Sequence, residues 1–327
     1  MPRKLRPVGP AGKRLDSQPV ITIAPRTLFV DLEYLGSPGH IGTCLLETPD
    51  GLAIVDPGPA VTVPRLQRAL HDLGATLQDV RIVLVTHIHL DHAGAVGLLA
   101  SQLPSLRVFV HEIGAPHLVD PARLLRSATM IYGEAHMARL WGEMRPVPAD
   151  RIIPVGDTAR CDFGGRVVRA AATPGHARHH LAWFDEQSGI AFTGDVVGEQ
   201  FPGAPGRAIP VTPPPDIDVP LMVASGRRIL EWHPARLLPT HFDLVQDPAG
   251  FVAEHEIRLV HWSDLVRRSL PGTRSDAALA EEHAAMVRTE LEALLPEAAH
   301  RYLSDDMLRS NWDGLARYWR RTATGPR

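Results

Sequence analysis

The sequence predicts a layered fold of the α/β or α+β class. Three observations carry the prediction. Short β-like runs at 42–48 and 52–56 flank Pro49-Asp50-Gly51, and an Asp-Gly pair between such runs reads as a hairpin turn. The continuous β-branched run RIVLVT at 81–86 reads as a strand buried on both faces. Segments of helical spacing interrupt the strands and take over beyond Asp247. Strands joined by hairpins and interrupted by helices build layers rather than a bundle.

Taken in order, residues 1–20 are basic, carry prolines and glycines, and read as a terminal extension. Strands are expected at 27–31, 42–48 and 52–56, a helix at 63–73, and the buried strand at 81–86. A helix at 93–103 and a strand at 107–110 follow, then an insertion at 115–145 with helical stretches at 121–130 and 134–144. Further strands are expected at 151–155, 166–171, 181–185 and 190–192. Residues 201–220 are rich in Pro and Gly and read as a loop, followed by a helix at 217–232 and a short strand at 236–240. Helices are expected at 251–270, 276–295 and 305–318, packed on the core. The domain reading is an extension at 1–20, a main layered domain at 21–245 and a helical extension at 246–327 packed on it.

Composition limits the function. The 327 residues are 44% hydrophobic, enough for a sizeable core. The 34 basic and 37 acidic side chains leave a net charge of −3. That argues against a nucleic-acid surface, an acidic tail or a polybasic membrane patch. Cys44 and Cys161 stand 117 positions apart, so neither a disulfide scaffold nor a cysteine metal site is expected, and a reducing compartment fits. No apolar run is long enough for a membrane helix, and the first 26 residues lack the apolar region of a secretory signal. The chain reads as cytoplasmic, with a small-molecule substrate as its partner. It also holds 17 histidines.

The histidines point to a metal. Thr86-His87-Ile88-His89-Leu90-Asp91-His92 places four Lewis-base side chains within six residues, straight after the buried strand. Burying so many polar groups is costly unless each has a partner, and a divalent ion is one. His87 and His89 point the same way on extended backbone, whereas Asp91 and His92 follow as the chain turns toward helix. Two ions sharing the site is the natural geometry. His176, Asp195 and His241 each follow an expected strand and a small or breaking residue, where a rigid sheet can hold them. Five histidines and two aspartates suit Zn²⁺ first, with Fe or Mn²⁺ as alternatives.

The run THIHLDHAG, followed in order by TPGH, TGD and THF, resembles the metallo-β-lactamase superfamily over about residues 27–245. The resemblance implies an αββα sandwich with a dinuclear site at one edge. It implies that His87, His89 and His176 hold the first metal, Asp91, His92 and His241 the second, and that Asp195 and a hydroxide bridge them. Asp56, in the stretch IVDPG, matches an aspartate that fixes the ligand loop from outside, and His180 resembles a second histidine common after the TPGH turn.

The chemistry implied is hydrolysis of a small-molecule ester, lactone or thioester, with Asp91 orienting the nucleophile and carrying a proton to the leaving group. No serine nucleophile elbow is present. Phosphodiester hydrolysis is the alternative, and an iron-dependent oxygenase or redox protein a more distant one. The family's glutathione-binding pattern, its lactonase tyrosine context and its RNA-gripping arm find no match here. His111, Tyr132 and Phe201 are candidates for the substrate pocket. The 115–145 insertion, with Tyr132, Met137 and Trp141, and the 198–215 loop read as a lid and wall, or as a homodimer contact. His233, His255, His261, His283 and His300 are expected on helix surfaces, and Asp185 as an ordinary strand-end residue whose loss matters little.

Overall fold

The computed structural model describes Leu5 and residues 20–323. The extension expected at 1–20 therefore lies, apart from Leu5 and Val20, outside the described residues. The first half of the chain runs β1 (Val20–Ala24), β2 (Thr27–Asp31), β3 (Gly42–Thr48), β4 (Gly51–Val55), α1 (Val63–Asp72), β5 (Val80–Leu84), α2 (Leu90–Ala93), α3 (Val96–Gln102), β6 (Arg107–His111), α4 (Ala115–Val119), α5 (Ala122–Tyr132), α6 (Glu134–Leu140) and β7 (Ile152–Val155). The second half runs β8 (Arg160–Asp162), β9 (Val167–Ala172), β10 (Leu181–Asp185), β11 (Ile190–Phe192), α7 (Val219–Leu230), β12 (Arg236–Leu238), α8 (Pro248–Ser269), α9 (Asp276–Leu294) and α10 (Asp305–Ala323).

The strands form two sheets. One has the order β1-β2-β3-β4-β5-β6-β7 and the other β12-β11-β10-β9-β8. The hairpin between β3 and β4 pairs Thr48 with Gly51 across the turn residues Pro49 and Asp50. From β4 to β7 the pairing is parallel. Side-chain alternation then dictates the layers. Leu28 and Val30 of β2 join a core with Leu66, Leu70 and Leu99 of the first helices. Phe29 between them points the other way, into a core between the sheets with Leu181, Trp183 and Phe192. On the second sheet, Ala182 and Phe184 face outward onto Met222, Phe251 and Trp262 of the later helices. The result is helix, sheet, sheet, helix, as expected.

Several boundaries moved for local reasons. The helix expected at 93–103 begins only at Val96, as α3, and a break separates it from α2, where Gly58 donates its N–H to the His92 carbonyl and accepts from Ala95 N–H. Strand β8 is only three residues long and carries no readable pattern, whereas β1 is the β-branched run VITIA, which was not singled out from the residues. The late helices start at side-chain caps: Asp218 accepts from Leu221 N–H, Asp247 from Gly250 N–H and Ser275 from Ala278 N–H. No helix among the described residues is long and apolar enough to cross a membrane.

Two expectations are corrected here. Asp185 is not an ordinary strand end. It is fully buried and paired with Arg166 through bonds of 3.1 and 2.6 Å. Arg166 also donates to the carbonyls of Arg26 and Glu47 and to Thr27 Oγ1, tying the second sheet to the first. Removing one member of a buried pair leaves the other charge without compensation. Asp185→Ala is therefore expected to lower stability by about 3–5 kcal/mol. Urea unfolding checks this, and an unchanged midpoint would contradict it.

His255 and His283 are not on helix surfaces either; both are buried on the inner faces of α8 and α9. Burial, reinforced by the Arg258 cation, pushes His255 down to about 3. Burial pushes His283 down to about 4, against the opposing Glu290 carboxylate. The unfolded chain takes up a proton at each near pH 6.5, which the folded chain refuses until much lower pH. Stability is thus lost as pH falls from about 6.5, at about 1.4 kcal/mol per pH unit for each histidine. In His255→Asn this acid-side slope is expected to fall by that amount, measured by urea unfolding at several pH values; an unchanged slope contradicts the assignment.

Candidate metal centre

The ends of β4, β5, β9, β11 and β12 lie at one edge of the sandwich, and each delivers a polar side chain there. After β5 the chain stays extended through His89, whose backbone (φ −61°, ψ 154°) opens α2. Extended backbone sends His87 and His89 to one side, and the first turn of α2 turns Asp91 and His92 to the other. His176 follows β9, His241 follows β12, and Asp195 follows β11 after Gly194. Gly194 has φ +50°, and a Cβ there would stand 2.6 Å from His180 Nε2 and 2.8 Å from Thr86 Oγ1. Only glycine lets Asp195 reach so deep.

Seven side chains converge in two groups: His87, His89 and His176, and Asp91, His92, Asp195 and His241. In the first, His87 Nε2 and His176 Nε2 each stand 3.0 Å from His89 Nδ1. Tetrahedral ligands about 2.05 Å from zinc stand about 3.3 Å from one another, so this spacing suits one ion. In the second, His92 Nε2 is 3.1 Å from Asp195 Oδ1 and His241 Nε2 is 3.2 Å from Asp91 Oδ2. Asp195 faces both groups. Its Oδ1 is turned to His92 and His241, while its Oδ2 lies 3.5 Å from His176 Nε2 and 3.9 Å from His87 Nε2.

The outer partners decide which ring nitrogens are free to ligate. His92 Nδ1 meets Asp56 Oδ2 at 2.9 Å, His176 Nδ1 the Val211 carbonyl at 3.0 Å, and His241 Nδ1 the His40 carbonyl at 2.9 Å. Each acceptor fixes the proton on Nδ1 and leaves an Nε2 lone pair facing inward. His92 Nε2 and Asp195 Oδ1 thus face each other 3.1 Å apart, both buried, and against burial the Asp195, Asp91 and Asp56 carboxylates raise His92 well above the usual histidine range, so a proton or a metal ion must lie between them. Such an arrangement calls for a cation between them, so the donor set fits a divalent metal.

The electrostatics agree. Burial, with the neighbouring imidazoles of His92 and His89, holds His87 well below the usual histidine range, so it offers a neutral ring. At His241 burial acts downward, but the Asp195 and Asp91 carboxylates outweigh it and push the ring up to about 9. One group thus offers neutral imidazoles, and the other concentrates negative charge that attracts cations. Nitrogen-rich donors favour zinc, iron or manganese over calcium and magnesium.

Asp56 holds the assembly from outside, at φ +49°. It accepts from Thr86 N–H at 2.8 Å, Thr86 Oγ1 at 2.6 Å and Thr240 Oγ1 at 2.8 Å, besides His92. His180 lies behind Asp195: it bonds Thr173 Oγ1 at 2.8 Å and accepts from Asp195 N–H at 3.3 Å. Residue patterning did not single out Thr86 and Thr240 as partners of Asp56. The signal was present, since each precedes a ligand histidine in a Thr-His pair.

A cleft of about 160 Å³ opens over His89, Asp91 and Asp195. The 115–145 insertion and the 198–215 loop form its walls, with Leu124, Tyr132 and Trp141 on one side and Val211 and Pro213 on the other. Of the three pocket candidates the structure brings only Tyr132 there. His111 ends β6 and turns back to accept from Ile113 N–H at 3.0 Å. Phe201 packs into the helical core, its ring 5.5 Å from that of Tyr302.

The second wall is braced from far along the chain. Asn311 of α10 accepts from Thr212 N–H at 2.7 Å and donates to the Pro210 carbonyl at 3.2 Å. These two contacts straddle Val211, whose carbonyl orients His176. Gly314 lets α10 come this close, because a Cβ there would stand 1.9 Å from the Thr212 carbonyl oxygen.

Removing an outer partner of a metal ligand typically costs 10–100-fold in affinity. Asp56→Asn keeps the volume but turns an amide N–H₂ toward donors. Metal affinity, measured by competition with a chromophoric chelator, is expected to fall by about 10–100-fold with secondary structure unchanged. Unchanged affinity would remove Asp56 from the site.

Comparison with known proteins bears on the family and the fold. A relative from Sulfurisphaera tokodaii, the metallo-beta-lactamase fold-containing protein ST1585, is 31% identical over 172 residues, covering 52% of this chain and 63% of its own length. A hydroxyacylglutathione hydrolase of a Synechococcus species is 29% identical over 170 residues, 52% of each protein. The chain therefore spans less than two-thirds of either relative. The crystal structure of TTHA1429 from Thermus thermophilus, a metallo-beta-lactamase family protein, superposes with a TM-score of 0.68 at 20% identity, over 92% of this chain and 95% of that one. The family model of the metallo-beta-lactamase superfamily matches residues 38–241, a stretch that holds both ligand groups, and to that superfamily this chain belongs.

Proposed function

We propose that this chain is a metal-dependent hydrolase that cleaves a small-molecule ester, lactone or thioester at a dinuclear centre, with zinc as the native metal. The observation that carries the reading is Asp195, whose two oxygens face two separate ligand groups beneath an open cleft. The relative named as a hydroxyacylglutathione hydrolase supports an acyl substrate. Two divalent ions held there supply a water acidic enough to give hydroxide near neutral pH and a Lewis acid for the substrate's carbonyl oxygen.

The chain's own residues do the rest. His87 and His92 are buried and outside the cleft lining, so they hold the centre in place without meeting substrate, and Asp195 is buried at its floor. Asp91 differs: its side chain is 24% exposed, it lines the cleft, and its Oδ2 stands 3.2 Å from His241 Nε2. It is the carboxylate able to take a proton from the attacking water and pass it to the leaving group.

A positioned acid–base group contributes about 10²–10⁴-fold. Asp91→Ala is therefore expected to lose at least about 100-fold in kcat while folding normally. Acid release in a pH-stat, with metal-loaded protein against aryl esters, lactones, thioesters and phosphodiesters, measures it. Wild-type rates in Asp91→Ala on a substrate that the protein turns over would overturn this role.

A further inference from the structure

We infer that the cleft receives the apolar acyl chain of an uncharged substrate and disfavours substrates that carry carboxylates or phosphates away from the scissile bond. This rests on the hydrolase reading and narrows it to a substrate class.

The cleft walls carry the argument. On one side, Leu124, Ala128 and Tyr132 of α5 stand beside Trp141. Trp141 is held by the rings of Tyr34 at 5.9 Å and Tyr132 at 5.1 Å. On the other side stand Val211 and the three prolines 213–215, whose rings cannot rearrange and whose loop is pinned by Asn311. Rigid apolar walls bind alkyl groups at little ordering cost.

Charge points the same way. Among the described residues, no Arg or Lys lines the cleft, although the chain has 34 of them. Asp91 and Asp195 at the floor are taken up as metal ligands, which leaves Asp216 as the acidic side chain of the wall. Asp216 lies 3.6 Å from Arg178, whose side chain is 75% exposed and outside the lining. A remote anionic group would meet Asp216 in the lining and no lining cation, since Arg317 and Arg321 reach the Pro215 carbonyl from behind the loop and are engaged there. The polar groups available along the walls are neutral: Ser127, Ser310 and Trp141, whose buried Nε1–H has no hydrogen-bond partner among the described residues.

For a thioester the step balances simply. Water adds its oxygen to the acyl carbon, the C–S bond breaks, and the products are the carboxylic acid and the thiol, which takes up a proton.

The test compares one set of acyl groups on two carriers. Acetyl, butanoyl, hexanoyl and octanoyl thioesters are made on N-acetylcysteamine, which is uncharged, and on glutathione, which is anionic. With metal-loaded wild type, kcat/KM on the neutral carrier is expected to rise about fourfold per methylene until the cleft is full. The same acyl group on glutathione is expected to react at least tenfold more slowly. Ser127→Arg, which adds a cation to the wall, is expected to narrow that gap. A flat chain-length series, or a preference for glutathione, overturns the inference. If no thioester, ester or lactone is cleaved by the loaded protein, the hydrolase reading fails, and binding then judges the cleft alone. Straight-chain 2-alkanones, which have no scissile bond, are expected to bind about fourfold tighter per methylene by calorimetry, with the slope lost in Ala128→Phe. No chain-length dependence in the wild type overturns the inference independently of turnover.

Discussion

The Asp56 carboxylate is the interaction on which the site depends. It sits just past β4 and accepts hydrogen bonds from Thr86 beyond β5, from His92 of α2 and from Thr240 beyond β12. Three pieces of chain that deliver ligands are thereby fixed to one charged group in the buried interior. A carboxylate so buried is stable only with strong donors around it, and its donors are held in turn by the sheets. The bond to His92 Nδ1 orients that ring so that its Nε2 faces Asp195. Metal binding is written into the hydrogen bonds around the centre as much as into the ligands themselves.

The same logic extends to the C-terminal helices. They bury a large apolar face against the second sheet, and α10 also grips the loop at 210–217 through Asn311, Thr212 and Arg321. That loop supplies both the carbonyl that orients His176 and one wall of the cleft. The segment beyond residue 245 is thus joined to the chemistry without supplying a ligand. It separates two jobs. The superfamily core carries the candidate metal ligands, and the insertion and the tail shape what lies above them.

Much of this was legible in the sequence, and the reasons are physical. Strand ends followed by His or Asp are local patterns, and the sandwich then brings them to one edge. The long apolar runs and capped helices were legible because period and caps act within a few residues. What was not legible depends on partners far along the chain. Asp185 looks like any strand-end acid until Arg166 is folded against it. His255 and His283 look like helix-surface residues until a neighbouring helix covers them. His111 and Phe201 seemed placed for the pocket, but the turn after β6 and the packing of Tyr302 drew them away. The acceptors for His176 and His241 are backbone carbonyls, which leave no mark on residue identity.

The central claim is that Asp195 joins two ligand groups into one centre for two ions. Native mass spectrometry of the zinc-loaded chain tests it most directly. The account predicts two zinc ions per chain in the wild type, and one in Asp91→Ala/His241→Ala, which dismantles the second group and leaves His87, His89 and His176 intact. A wild type that takes up a single ion under saturating zinc would contradict it.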